Sequence, residues 1–188
     1  MFARGFKTWC ENTAVSLRKK LGREPSDPVS PEALAKLLEV RIWQAEEIPG
    51  VDPESLRILL HEDPDSWSAI TIHVQGQAII VLNSAHSGGR PSSNLMHELA
   101  HILLNHEPSR LDVSDDGVMM LRTFDRQQEA EADWLAGCIL LPRPTLLACR
   151  KLGLENAAIA RRYGVSQKMV EYRLNVTGVD TQLARGRR

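Results

Sequence analysis

His97-Glu98-Leu99-Ala100-His101 is the stretch on which the reading of this chain turns. On an α-helix, residues four apart lie one above the other on the same face, so the two imidazoles of this segment can grip one metal ion, with Glu98 beside it. Imidazole pairs suit Zn²⁺. A carboxylate next to a zinc-activated water can take its proton, which is the chemistry of zinc peptidases. The flanking residues Leu95, Met96, Ile102, Leu103 and Leu104 make the predicted helix, 93–106, apolar nearly all round, as expected of a buried helix. Burying two imidazoles and a carboxylate is costly unless something uses them.

A catalytic zinc takes three protein ligands and keeps one position open, so a third ligand is required. A histidine ten residues after His97, following a glycine, would be one solution. Those positions hold Glu107 and Leu104, and His106 is one residue short. The other solution is a glutamate from a second helix, predicted over 126–141, where Glu129 and Glu131 compete. Glu129 shares a helical stripe with Ala132, Asp133, Ala136, Gly137 and Leu140, whereas Glu131 shares one with Trp134, Leu135, Cys138 and Ile139. Small neighbours let two helix backbones approach, and Asp133, one turn on, can hold a liganding histidine through its free ring nitrogen. The spacing therefore favours Glu129 as ligand, with Glu131 as the alternative.

These residues carry a resemblance to the ImmA/IrrE family of metallopeptidases. It rests on Ala78-Ile79-Ile80-Val81-Leu82-Asn83, on His97 through Leu104, and on Glu129-x-x-Ala132-Asp133-x-Leu135-Ala136 running to Leu140-Leu141-Pro142. Pro31-Glu32-Ala33-Leu34-Ala35 and Asp65-x-Trp67-Ser68-Ala69 fit more loosely, and together the matches span most of 28–178. Family members usually have Asn where Asp133 stands and Phe where Leu135 stands. The resemblance implies a zincin-like core and a cytoplasmic, site-specific endopeptidase whose protein substrate is a DNA-binding repressor.

Composition agrees with a folded α+β protein. The chain has 188 residues, 43% of them hydrophobic, enough for one good core or a core plus a small appendage. Arg4, Lys7, Glu11 and the Arg18-Lys19-Lys20 cluster interrupt any apolar leader, and no apolar run approaches a membrane span. Cys10, Cys138 and Cys149 lack metal or redox spacing and read as reduced thiols, consistent with the cytoplasm.

A helix is predicted from Phe6, Trp9, Thr13, Leu17 and Leu21 on one face, and a second from Ser30-Pro31-Glu32 as cap and first turn. A strand is expected over 40–45 and a hairpin over 69–83, with Gly76 in its turn and a small sheet packing on the helices. Pro108 is expected to end the metal-site helix, and 109–125 to connect the two ligand helices. Residues 1–142 thus read as a metallopeptidase core. Residues 143–188 read as a basic helical module, with ten Lys/Arg against three Asp/Glu, while the preceding part carries a net charge of −8. Within it, 154–177 resembles a helix-turn-helix, with Ser166 as N-cap and Val165 stapled to Val170. The alternative is a DNA-binding or DNA-recruited regulator with a catalytically silent metal site, its phosphate contacts supplied by Arg161, Arg162, Lys168 and Arg173. Few side chains of the second helix suit base reading, so a packing and recognition module is the preferred reading. For an oxyanion donor, His86, Arg90, Tyr163 and Tyr172 are the candidates.

Overall fold

The computed structural model describes residues 1–74, 77–87, 90–106, 111–113, 119–121 and 125–186. Gly76, Pro108 and most of the 109–125 connection lie outside them.

The chain is α+β. It opens with α1 (Phe6–Lys20) and α2 (Pro31–Leu37), and the Ser30 hydroxyl accepts the Ala33 N–H at 3.3 Å as the expected cap of α2. The strands β1 (Arg41–Gln44), β2 (Ala69–Val74) and β3 (Gln77–Leu82) form a sheet in the order β1-β3-β2, with β1 parallel and β2 antiparallel to β3. The apolar run of β3 suits this central position, and Ile79, Ile80, Val81 and Leu82 are all buried. Between β1 and β2 lies α3 (Pro53–Arg57), capped by Asp52 and continued by one π-helical turn over Ile58–Glu62. Asn83, buried at the end of β3, donates from Nδ2 to Pro64 O (2.8 Å) and Trp67 O (3.0 Å) and accepts from Ala85 N (2.9 Å). It thereby ties β3 to the loop that feeds β2.

After the sheet come α4 (Arg90–Leu103), a short antiparallel pair β4 (Leu111–Val113) and β5 (Met119–Leu121), and α5 (Arg126–Leu140). The C-terminal helices are α6 (Arg143–Lys151), α7 (Asn156–Tyr163), α8 (Gln167–Thr177) and α9 (Val179–Arg185). Among the described residues, no helix is long and apolar enough to cross a membrane. The three cysteines are free and buried.

One apolar core runs from α1 and α2 through α4 and α5 to Val170 and Leu174 of α8. Its floor is α5, which is buried almost continuously from Trp134 to Leu140. α1 buries Cys10, Ala14 and Leu17 against the core; of the predicted face Leu17 is buried and Phe6 and Leu21 pack beside it, whereas Trp9 is 44% exposed. The small Cys10 and Ala14 let the axes of α1 and α5 come close. Among the described residues two arginines, Arg18 and Arg173, are fully buried, which periodicity did not indicate. Arg18 donates to Ala14 O, Asp27 O and Ile139 O at 2.8–3.0 Å, satisfying a carbonyl at the α5 C-terminus. Burial pushes its guanidinium down to about 10. Arg173 crosses α5 at Gly137, where a Cβ would lie 3.1 Å from Arg173 Cδ. The small residue that the spacing argument gave to the approach of the two ligand helices therefore serves α8 instead.

Candidate metal centre

Two helices build the site. α4 begins at Arg90, three residues before the predicted start, and ends at Leu103, well short of Pro108. Its end is set by Asn105, which takes a left-handed conformation (φ 53°). The Asn105 N–H then bonds Ile102 O, and the His106 N–H bonds His101 O at 3.0 Å. This is the Schellman arrangement, and Asn is one of the few non-glycine residues that adopt it cheaply. α5 starts on Asp125, whose carboxylate accepts the Gln127 N–H at 2.7 Å and the Gln128 N–H at 3.4 Å. Glu129 consequently lies in the first turn of its helix, facing α4.

Side by side, α4 and α5 bring His97, His101 and Glu129 together. Each offers one ligand atom, and these atoms all lie within 4.8 Å of one another. The two Nε2 atoms are 3.0 Å apart; Glu129 Oε2 is 3.2 Å from His97 Nε2, and Glu129 Oε1 is 3.5 Å from His101 Nε2. Asp133 Oδ1 is 2.9 Å from His97 Nδ1, so the His97 proton belongs on Nδ1 and its Nε2 presents a lone pair. Glu129 has only acceptor oxygens to offer. Two imidazoles with one carboxylate are a donor set suited to a tetrahedral ion with one open position. Glu131 points elsewhere: its Oε1 accepts from Gln127 Nε2 at 2.5 Å, and its Oε2 lies 3.5 Å from His106 Nε2.

Glu98 sits one residue along from His97 and faces the sheet. Thr71 Oγ1, on β2, donates to its Oε2 at 2.6 Å. Thr71 is a site residue that sequence reasoning missed; the only available signal was its place on the strand face opposite Ile70 and Ile72. Burial raises the Glu98 carboxyl above its ordinary range, while the Thr71 hydrogen bond and His97 pull it back part of the way. For His97, burial works against protonation, but the Asp133 hydrogen bond and the charges of Asp133, Glu98 and Glu129 outweigh it and raise the imidazole. Burial, then the neighbouring His97 and His106, lowers His101 to about 4, so its ring is neutral as a ligand must be.

The four oxyanion candidates separate. Tyr163 is buried and donates to Ser26 O at 2.6 Å, His86 Nε2 is engaged by Pro64 O at 3.0 Å, and Arg90 pairs with Asp65 at 2.7 Å. Tyr172 is 43% exposed and packs edge-on against Trp134, the residue after Asp133. Of the proposed DNA contacts, Arg161, Arg162 and Lys168 are exposed, but Arg173 is buried against Glu11 and cannot reach a phosphate.

The model of the family described as IrrE N-terminal-like domain, peptidase M78, matches residues 54–175, which include both helices of the site and run into α8. No curated protein matches the chain significantly. Among solved structures, a Mycobacterium tuberculosis transcriptional regulator is similar with a TM-score of 0.55 at 17% identity, over 89% of this chain and 46% of that one. The chain thus spans less than half the length of that regulator, and the likeness is one of fold.

Proposed function

Since the chain belongs to the IrrE N-terminal-like domain family of M78 metallopeptidases, we propose that it is a zinc-dependent endopeptidase that cuts a specific protein, a DNA-binding transcriptional repressor. The observation that carries this reading is the convergence of His97 Nε2, His101 Nε2 and the Glu129 carboxylate, with Glu98 adjacent. Bound there, Zn²⁺ would polarise the scissile carbonyl and lower the pKa of water to near neutrality. Glu98 is the general base. With Oε2 held by Thr71, its Oε1 is the atom left to accept the proton as the amide is attacked, and the same carboxyl returns it to the departing amine nitrogen. The raised Glu98 pKa brings base and acid roles closer to neutral pH. Asp133 keeps His97 in the tautomer that ligates.

In this reading residues 1–142 form a zincin-like core, and 143–188 form a helix-turn-helix-like module that guides substrate. Two features support the form of the module and its place beside α4. Ser166 caps α8 by accepting the Met169 N–H at 3.1 Å after a left-handed Gly164. A cavity of about 520 Å³ also separates Ser92 at the start of α4 from Arg161, Gly164 and Gln167 of the turn. The exposed Arg161, Arg162 and Lys168 favour DNA as the second reading, a regulator recruited by phosphate contacts.

The test is metal content followed by cleavage. Wild type and Glu98→Gln should each hold about one zinc, and Glu129→Ala should hold none. New protein N-termini formed in a cell extract should appear with wild type on DNA-binding proteins and fall at least ~10²-fold with Glu98→Gln. Zinc-free wild type after reconstitution, or equal cleavage by Glu98→Gln, would overturn the proposal.

A further inference from the structure

His106, too close to His97 in sequence to complete a His-only ligand set, has a definite place in the fold. The left-handed Asn105 turns the chain back so that the His106 ring stands 4.9 Å from that of His101, centroid to centroid, with Nδ1 facing Nδ1 at 2.9 Å. Its side chain is 7% exposed. On the far side of the ring, Nε2 makes no hydrogen bond among the described residues and lies 3.5 Å from Glu131 Oε2, an ion-pair distance longer than a formed hydrogen bond.

Two facing imidazole nitrogens can share only one proton, so one donates and the other accepts. His101 Nε2 faces His97 Nε2 and the Glu129 carboxylate; to ligate, it must offer a lone pair. The His101 proton then sits on Nδ1 and is given to His106 Nδ1. The His106 proton consequently sits on Nε2, directed at Glu131. Glu131 is itself held by Gln127 Nε2 at 2.5 Å.

We infer that His106 and Glu131 are a positioning pair for the second metal-binding histidine: Glu131 sets the tautomer of His106, which sets that of His101, as Asp133 does for His97. The inference rests on the proposed metal site, and it gives roles to the two residues that the ligand set leaves over. Asn105 belongs to the same device, because its left-handed turn is what returns His106 to α4.

Zinc affinity of the full chain, measured by competition with a chromophoric chelator, tests it without any substrate. His106→Phe keeps ring volume but removes the acceptor, and it should weaken zinc roughly 10- to 100-fold. His106→Asn, whose Oδ1 can accept from His101 Nδ1, should restore affinity to within about threefold of wild type. The melting temperatures of the metal-free proteins separate a fold defect from a ligand defect. Imidazole ¹H–¹⁵N spectra of zinc-loaded wild type supply a second reading that needs no variant: His101 should carry its proton on Nδ1 and His106 on Nε2. The reverse tautomers, or His106→Phe binding zinc as tightly as wild type, would overturn the positioning pair and leave the three-ligand site standing. Wild type that binds no zinc would instead overturn the metal site and this inference with it.

Discussion

Glu11 on α1 holds the C-terminal helices to the rest of the molecule, and removing its carboxylate should be among the most damaging single changes available away from the metal site. Its Oε1 accepts from Arg173 Nη2 at 2.5 Å, and its Oε2 accepts from the Arg143 N–H at 2.8 Å, at the start of α6. The Arg173 side chain is 0% exposed and that of Glu11 is 23% exposed. Arg173 also donates from Nε to Leu141 O at 3.0 Å, whereas its Nη1 has no partner among the described residues. Glu11→Ala would therefore leave a fully buried guanidinium with a single hydrogen bond. Breaking a buried pair from one side costs about 3–5 kcal/mol, and the partial access of water to Glu11 places the value near the lower end. In a chain of this length that corresponds to a fall in melting temperature of roughly 6–12 °C. Glu11→Gln keeps an acceptor and should cost about half as much. Glu11→Leu combined with Arg173→Met removes both charges together and should recover more than half of the Glu11→Ala loss. Urea titration of the full chain measures each variant, with an unchanged m-value guarding against a change of unfolding mechanism. A cost below about 1 kcal/mol for Glu11→Ala, or strict additivity of the two single changes, would refute the reasoning.

Ser166→Ala removes the N-cap of α8 and should lower stability by about 1 kcal/mol, read by the same titration, while Ser166→Gly should cost only a few tenths. Burial, with the Cys149 contact, pushes the Tyr163 hydroxyl up to about 12 from an unfolded value near 10. A raised acid binds its proton more tightly when folded, so its contribution to stability is complete below pH 10 and is lost as pH rises towards 12. Stability measured across that window should fall more steeply in wild type than in Tyr163→Phe; parallel curves would contradict the assignment.

Much of this was open to inspection in the sequence, because it depends on residues a few positions apart. The stacking of His97 over His101 follows from the pitch of one helix, and the caps at Ser30 and Ser166 follow from side chains that bond the N–H groups just ahead of them. The alternation of β2 and the apolar run of β3 likewise mark the edge and centre of a sheet. The small-residue stripe that favours Glu129 over Glu131 is only partly turned to α4, since Gly137 on it faces Arg173 instead. The carboxylate pointing at the histidines is nonetheless that of Glu129.

Local features are legible along the chain: helix faces, caps, strand periodicity, and an imidazole pair with a carboxylate beside it. Packing selects the rest: β1 runs parallel to β3, Thr71 donates to Glu98, Asp133 lies beside His97 and Glu131 beside His106, and Arg18 and Arg173 are interior rather than surface cations. Each of these joins residues distant along the chain, where hydrogen-bond geometry and burial, not spacing, select the partner. A charged or polar residue carries no mark in the sequence of which remote carbonyl or carboxylate will satisfy it, so its role becomes visible only when the helices and sheet have packed.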